Sequence, residues 1–212
     1  MLPIADTMNR ITNHPQQGAI RAQLARNVVL EKLDEAAMRE LEPHLTIVDS
    51  RKGEHLLLQG TTEMEQYFLL DGVMKRVVTN ASGKEMILRF TRAGDMETSY
   101  AAWRLHTPAP YSIVAVTKAR VAKLPLPQWV GFMEHNPQLK SVFELEVMRH
   151  MSDIMGHIIT LHLLDAPGRV RRFQRKLPQF EEVLPKKELA SYLNLCAETL
   201  SRLSHRGKIQ LK

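Results

Sequence analysis

The spacing of apolar positions changes several times along this chain. Residues 1 to about 20 show no clear period and carry Pro, Asn, Gln and Gly, which predicts a loosely held arm. From Ile20 to about Leu45 the period is helical. Leu24, Val28 and Leu33 share a stripe, and Asp34 is placed to cap a helix starting at Glu35. From Thr46 the pattern breaks into short strand-like runs at 46–48, 55–58, 67–70, 73–78, 85–90, 111–116 and 120–124. Gly-bearing turns separate them, among them Lys52-Gly53, Gln59-Gly60, Asp71-Gly72, Ser82-Gly83 and Gly94-Asp95. Short strands at close spacing with Gly at the bends predict an antiparallel β jelly-roll barrel.

After a short helix at 127–132 and the stop at Asn136-Pro137, a long helix is expected from Gln138 to about Leu164. Leu139, Phe143, Val147, Met151, Ile154, Ile158 and Leu161 repeat along it at three or four residues. At 1.5 Å per residue it would span roughly 40 Å, too long for one small barrel to cover, so the stripe reads as a dimer seam. Asp165-Ala166-Pro167-Gly168 reads as a stop and a hinge, followed by a basic helix at 169–177. The stretch 184–209 then reads as two short helices. Leu189, Ala190 and Leu193 form one apolar stripe, Asn194-Leu195-Cys196 the turn, and Leu200 and Leu203 the inward side of the second helix. Glu198, Ser201 and Arg202 are left on its outer face, since residues three and four apart are neighbours. Arg can pair bidentately with guanine and Glu accepts from the cytosine amino group, so a helix-turn-helix entering the major groove is expected. The fold class is α+β, with an arm and helix at 1–26, a barrel at 27–135, a dimerisation helix at 136–165 and a winged helix-turn-helix at 166–212.

Charge sharpens that reading. The net charge is +6, and Arg169, Arg171, Arg172, Arg175, Lys176, Lys186, Lys187, Arg202, Arg206, Lys208 and Lys212 crowd the C-terminal fifth. A basic end of this kind suits a nucleic-acid partner. The single cysteine, Cys196, excludes an internal disulfide, a cysteine-ligated iron–sulfur cluster and a multi-cysteine zinc site within one chain. No apolar run reaches spanning length, and the N-terminus lacks a secretory pattern, so a cytoplasmic protein without membrane contact is expected.

A Gly-punctuated barrel, a long helix, a Pro-Gly stretch and a C-terminal helix-turn-helix together resemble the Crp/Fnr family of bacterial transcription regulators. The likeness runs from roughly Asn27 to the end. Lys52-Gly53-Glu54, Gly60 and the run from Tyr67 to Lys75 look like the family's barrel turns, and Gly94-Asp95 like its entry to the ligand segment. Arg169-Val170 resembles the start of the family's DNA domain, and the run from Glu198 to Arg202 its recognition-helix signature. The resemblance implies a homodimer on double-stranded DNA, RNA polymerase as a partner and a small-molecule effector. It implies that Glu198, Ser201 and Arg202 face bases, with Thr199, Arg172, Lys187 and Arg206 completing the DNA-binding set. Ala197 stands where the Crp branch carries Arg, which favours the Fnr-like half-site TTGAT. The span from Arg202 to Gly207 is about one turn shorter than the family's, which shortens the wing.

The same likeness addresses the effector. The family's cyclic-nucleotide form has Gly-Glu soon after Gly-Asp and then Arg followed by Ser or Thr. Here Ser99 takes the Glu place and Ala109-Pro110 the Arg-Ser place, which argues against cAMP. Glu97, Thr98, Ser99, Arg104 and Arg89 are the remaining candidates to line a ligand site, and another nucleotide or haem stays open. His44, His55 and His106 are the loosest haem candidates. His150 and His157, seven apart on the long helix, would make a dimer pH-sensitive if they lay at the seam. No grouped metal ligands, nucleophile or phosphate-loop motif points to an enzyme. A regulatory nucleotide-binding module acting through protein partners is the other open class.

Overall fold

The computed structural model describes residues 10–205. Residues 10–76 with 90–150 make one compact unit, and 77–89 with 151–205 make a second. Among the described residues the strands are β1 (Thr46–Ser50), β2 (His55–Leu57), β3 (Glu65–Asp71), β4 (Val73–Thr79), β5 (Glu85–Arg92), β6 (Met96–Thr98), β7 (Ser112–Ala115) and β8 (Ala119–Pro125). They form two four-stranded sheets, ordered β1-β8-β3-β6 and β2-β7-β4-β5. The chain alternates between the sheets at every step except the β4–β5 hairpin, as a jelly roll does. The pairs β1–β8, β3–β8, β3–β6 and β2–β7 are antiparallel. Gly72 makes the β3–β4 corner at φ 85°, where a Cβ would lie 2.3 Å from the Lys118 carbonyl oxygen, so no larger residue fits.

The helices are α1 (Gln17–Leu24), α2 (Glu35–Leu41), α3 (Tyr100–Arg104), α4 (Leu126–Glu134), α5 (Pro137–Leu163), α6 (Ala166–Lys176), α7 (Lys186–Tyr192) and α8 (Ala197–His205). Phe68, Trp129 and Phe143 are fully buried, with ring centroids 5.2 Å apart for Phe68–Trp129 and 5.5 Å for Trp129–Phe143. That aromatic cluster seats α4 and the start of α5 on the first unit, because burying several rings is the largest apolar gain available there.

Four expectations are corrected. The segment from residue 10 is no loose arm: Ile11, Ile20 and Leu24 are buried, and α1 already begins at Gln17. Ahead of the helix that Asp34 is expected to cap, the helical pattern expected from Ile20 to about Leu45 is interrupted after Leu24. There the Asn27 side chain accepts from the Val29 amide (3.1 Å) and donates to the Asp95 carbonyl (2.9 Å), and the Val28 amide reaches Gly94 O (2.9 Å). A short amide side chain that bonds the backbone this way competes with the helix ladder. Asp34 does cap α2, accepting from the Ala37 amide at 2.8 Å. Pro167 and Gly168 form no open hinge. Asp165 caps α6 by accepting from the Gly168 amide at 2.9 Å, so both residues sit in its first turn, where Pro lacks only an amide that would be unpaired anyway. Finally, β6 went unseen in the sequence because its three residues, Met96, Glu97 and Thr98, are all buried and two of them are polar.

Candidate nucleic-acid interface and barrel interior

In the second unit, α7 and α8 are joined by a turn in which Asn194 takes a left-handed conformation (φ 50°) and the Leu195 amide returns to Ala190 O at 2.9 Å. Asn is among the few residues that adopt this conformation readily. Leu189, Ala190, Leu193 and Leu200 are buried between the two helices. That burial fixes the rotation of α8, so Glu198, Ser201 and Arg202 stand exposed together, as their spacing requires. Thr199 is half-buried; its hydroxyl accepts from Arg202 Nη2 at 3.1 Å and lies 3.0 Å from Cys196 Sγ. The Glu198 carboxyl is held below its ordinary value by its own backbone amide and the Cys196 thiol, with Arg202 adding to the effect. At neutral pH this helix therefore presents an anion and a cation side by side.

Three contacts hold that surface. Arg169 donates to the carbonyls of Leu161 (2.8 Å), Leu164 (2.9 Å) and Leu193 (3.2 Å), tying the end of α5 to the end of α7. His157 on α5 stacks flat on Tyr192 of α7, with centroids 3.8 Å apart. Phe173 of α6 meets the same tyrosine edge-on at 5.9 Å. Burial pushes the His157 imidazole down to about 4, Arg172 pushes it the same way, and the backbone of Ile87 and Tyr192 counters in part. His157 is thus a neutral stacking residue at physiological pH.

The other expected DNA-binding residues are placed unequally. Lys187 is exposed, beside a cleft lined also by Ser191, Asn194 and Cys196. Arg172 is half-buried, its Nη2 packed over Gly156, where an added Cβ would lie 3.6 Å away; it braces α5 more than it faces outward. Arg171, Arg175 and Lys176 on the same helix are exposed instead. Arg206 and the shortened wing lie outside the described residues.

The helix face expected as a seam is buried at one end and half-exposed along most of the rest. Leu139 and Phe143 are buried in the first unit, and Val147, Ile154, Ile158 and Leu161 are half-buried. The exposed apolar stripe of α5 is Leu145, Met148, Met151, Met155, Ile159 and Leu163. It lies about a third of a turn round the helix and shares only Met151 with the expected set. His150 and His157 are buried on the same side of the helix as Leu139 and Phe143, away from the exposed stripe; His150 Nε2 is 3.3 Å from Asp95 Oδ1.

In the barrel, Glu97, Thr98 and Ser99 are buried. Their neighbour is a residue that sequence reasoning missed: Arg76 on β4, only 4% exposed. Arg76 Nε pairs with Glu97 Oε2, and the Thr91 hydroxyl donates to Glu97 Oε1. The Arg76 guanidinium lies over the Tyr111 ring, 4.6 Å from its centroid, and the Tyr111 hydroxyl donates to Thr98 O at 2.6 Å. Burial works against the Arg76 charge, but Glu97, with Tyr111 and Asp95 acting the same way, keeps the group charged. Arg104 is exposed with its guanidinium over Tyr100, and Arg89 belongs to the second unit. His44, His55 and His106 are each exposed on separate segments. Among the described residues no three metal-ligating side chains come together, and no helix is long and apolar enough to cross a membrane.

Known proteins match this arrangement. The family described as the cyclic nucleotide-binding domain covers residues 47–136. The nitrogen fixation regulation protein FixK of Bradyrhizobium diazoefficiens is 28% identical over 187 residues, covering 83% of this chain and 77% of FixK. The solved structure of FixK2 from Bradyrhizobium japonicum superposes with a TM-score of 0.66 at 18% identity, over 77% of this chain and 86% of that one. The c-di-GMP responsive regulator CLP of Xanthomonas campestris superposes with a TM-score of 0.67 at 14% identity, over 82% and 91%. Residues 47–136 thus carry a cyclic nucleotide-binding domain, and the barrel, long helix and helix-turn-helix follow in the order of the Crp/Fnr-type regulators that the chain resembles.

Proposed function

We propose that this protein is a homodimeric transcription regulator that binds double-stranded DNA through α8. The observation that carries the reading is the exposed trio Glu198, Ser201 and Arg202 standing over a buried Leu200, with Arg171, Arg175, Lys176 and Lys187 exposed on the neighbouring helices. Arg202 reads guanine and Glu198 a cytosine amino group, while the lysines and other arginines engage phosphates and set affinity. Two copies associate along the exposed stripe from Leu145 to Leu163, which water would otherwise face. The dimer places two recognition helices on half-sites about one DNA turn apart, roughly 34 Å. The half-site is TTGAT-like. The barrel is the allosteric input that biases the recognition helices, and DNA-bound dimer engages RNA polymerase in the cytoplasm. No catalytic role is assigned.

Enrichment of a random duplex pool on the purified protein tests this. An inverted repeat of a TTGAT-like pentamer is expected to emerge. Enrichment of no motif, or of a single unrepeated half-site, would contradict a two-fold regulator.

A further inference from the structure

The barrel carries the cyclic nucleotide-binding fold, whose named ligand is an anion, yet its interior charges are already matched. Arg76 is the interior group that would attract a phosphate. A guanidinium taken out of water is tolerated only when paired and hydrogen-bonded. Glu97 supplies both needs from within the chain: one carboxylate oxygen takes Arg76 Nε and the other takes the Thr91 hydroxyl. Tyr111 covers the guanidinium face and is itself pinned by Thr98 O. The cluster is neutral, so an incoming phosphate gains no net attraction and meets the Glu97 carboxylate, a like charge at short range. Two buried polar atoms of this region remain unpartnered, Arg76 Nη2 and Ser99 Oγ. Buried donors are normally satisfied, and these are the groups an oxyanion would use.

We propose that Glu97 is a resident counter-anion: it occupies the anion-attracting position at Arg76, so this barrel adopts its working state without cyclic nucleotide or free phosphate and conceals a latent oxyanion site. The proposal rests on the barrel being the regulator's input, and it specifies what that input does not take. In the full-length protein, isothermal titration and thermal shift with cAMP, cGMP and inorganic phosphate compare wild type, Glu97→Gln and the double variant Arg76→Met/Glu97→Met.

Wild type is expected to bind none of the three at millimolar concentration. Glu97→Gln leaves Arg76 uncompensated and is expected to gain phosphate affinity at least tenfold, read as a phosphate-dependent rise in Tm. The double variant, with an apolar pair in place of the ions, is expected to fold, to bind no phosphate, and to keep the wild-type DNA affinity within about twofold, since exchanging a buried pair for apolar groups is often neutral. Binding of cAMP, cGMP or phosphate by wild type overturns the proposal. So does a folded Glu97→Gln without phosphate gain, or a folded double variant whose DNA affinity falls more than tenfold. If Glu97→Gln does not fold, the wild-type and double-variant results decide. A wild type that binds no DNA at all would sink the regulator reading instead, and the titrations would still stand as measured.

Discussion

Two arginine–glutamate pairings in this chain are opposite in character. In the barrel, Arg76 and Glu97 are 4% and 2% exposed and meet each other directly. On α8, Arg202 and Glu198 are exposed, and Arg202 reaches only as far as the Thr199 hydroxyl. The first pair is enclosed by the chain; the second makes only local contacts and stays open to solvent. The difference teaches that an arginine's availability is decided by what its element buries: on α8 it faces outward, and inside the barrel it does not.

The largest effect expected from this contrast is at the buried pair. Glu97→Ala should lower stability by about 3–5 kcal/mol, because it strands a buried guanidinium. The double variant Arg76→Met/Glu97→Met should recover most of that loss. Urea titration followed by circular dichroism measures both, and a single variant as stable as wild type would show the pair to be idle.

Next comes His157. It is neutral when folded, titrating at about 4, while in the unfolded chain it titrates near the ordinary value of roughly 6.5. Between those values the unfolded chain holds the extra proton, so stability falls as pH drops through this window and is fully present above it. The shift corresponds to about 3 kcal/mol lost by pH 4. Burial and the nearby Arg172 oppose the imidazolium, while the backbone of Ile87 and Tyr192 favours it in part. His157→Phe should keep the stack and flatten that part of the pH profile; an unchanged profile would remove His157 as its cause.

On the exposed helix the effects are smaller and belong to DNA. Arg202→Ala should cost about 1–3 kcal/mol on the specific duplex and relax base preference at one position. Equal losses on specific and scrambled duplexes would make Arg202 a phosphate contact. Lys187→Ala is expected to act least. It should weaken all sequences alike and reduce the salt slope of binding by about one, as measured by anisotropy across a salt series.

Much of this was legible in advance where local pattern and tertiary packing agree. The seven strand runs lie on strands of the structure, the long helix Pro137–Leu163 starts one residue before its expected start, and Glu198, Ser201 and Arg202 share the exposed face that their spacing implies. What escaped is what packing alone decides. Strand β4 reads Val-Met-Lys-Arg-Val-Val and is buried on most of both sides, so alternation could not mark Arg76 as interior. Glu97 lies in a three-residue strand with no period to read. On α5 a 3.6-residue repeat admits two neighbouring apolar stripes, and only the aromatic cluster around Phe143 shows which one the chain keeps for itself. Arg172 looked like any other member of a basic run until its contact with Gly156 placed it against α5.

The most direct test of the account is the DNA affinity of ligand-free protein. Protein stripped of small molecules by refolding and dialysis would be titrated, by fluorescence anisotropy over a salt series, onto a duplex with two inverted TTGAT half-sites and onto a scrambled duplex. Tight binding to the first, at least about a hundredfold over the second and unchanged by added cAMP, is expected if α8 carries recognition and the barrel is closed by its own carboxylate. Equal, steeply salt-dependent binding to both duplexes, or selectivity that appears only after cAMP is added, would contradict it.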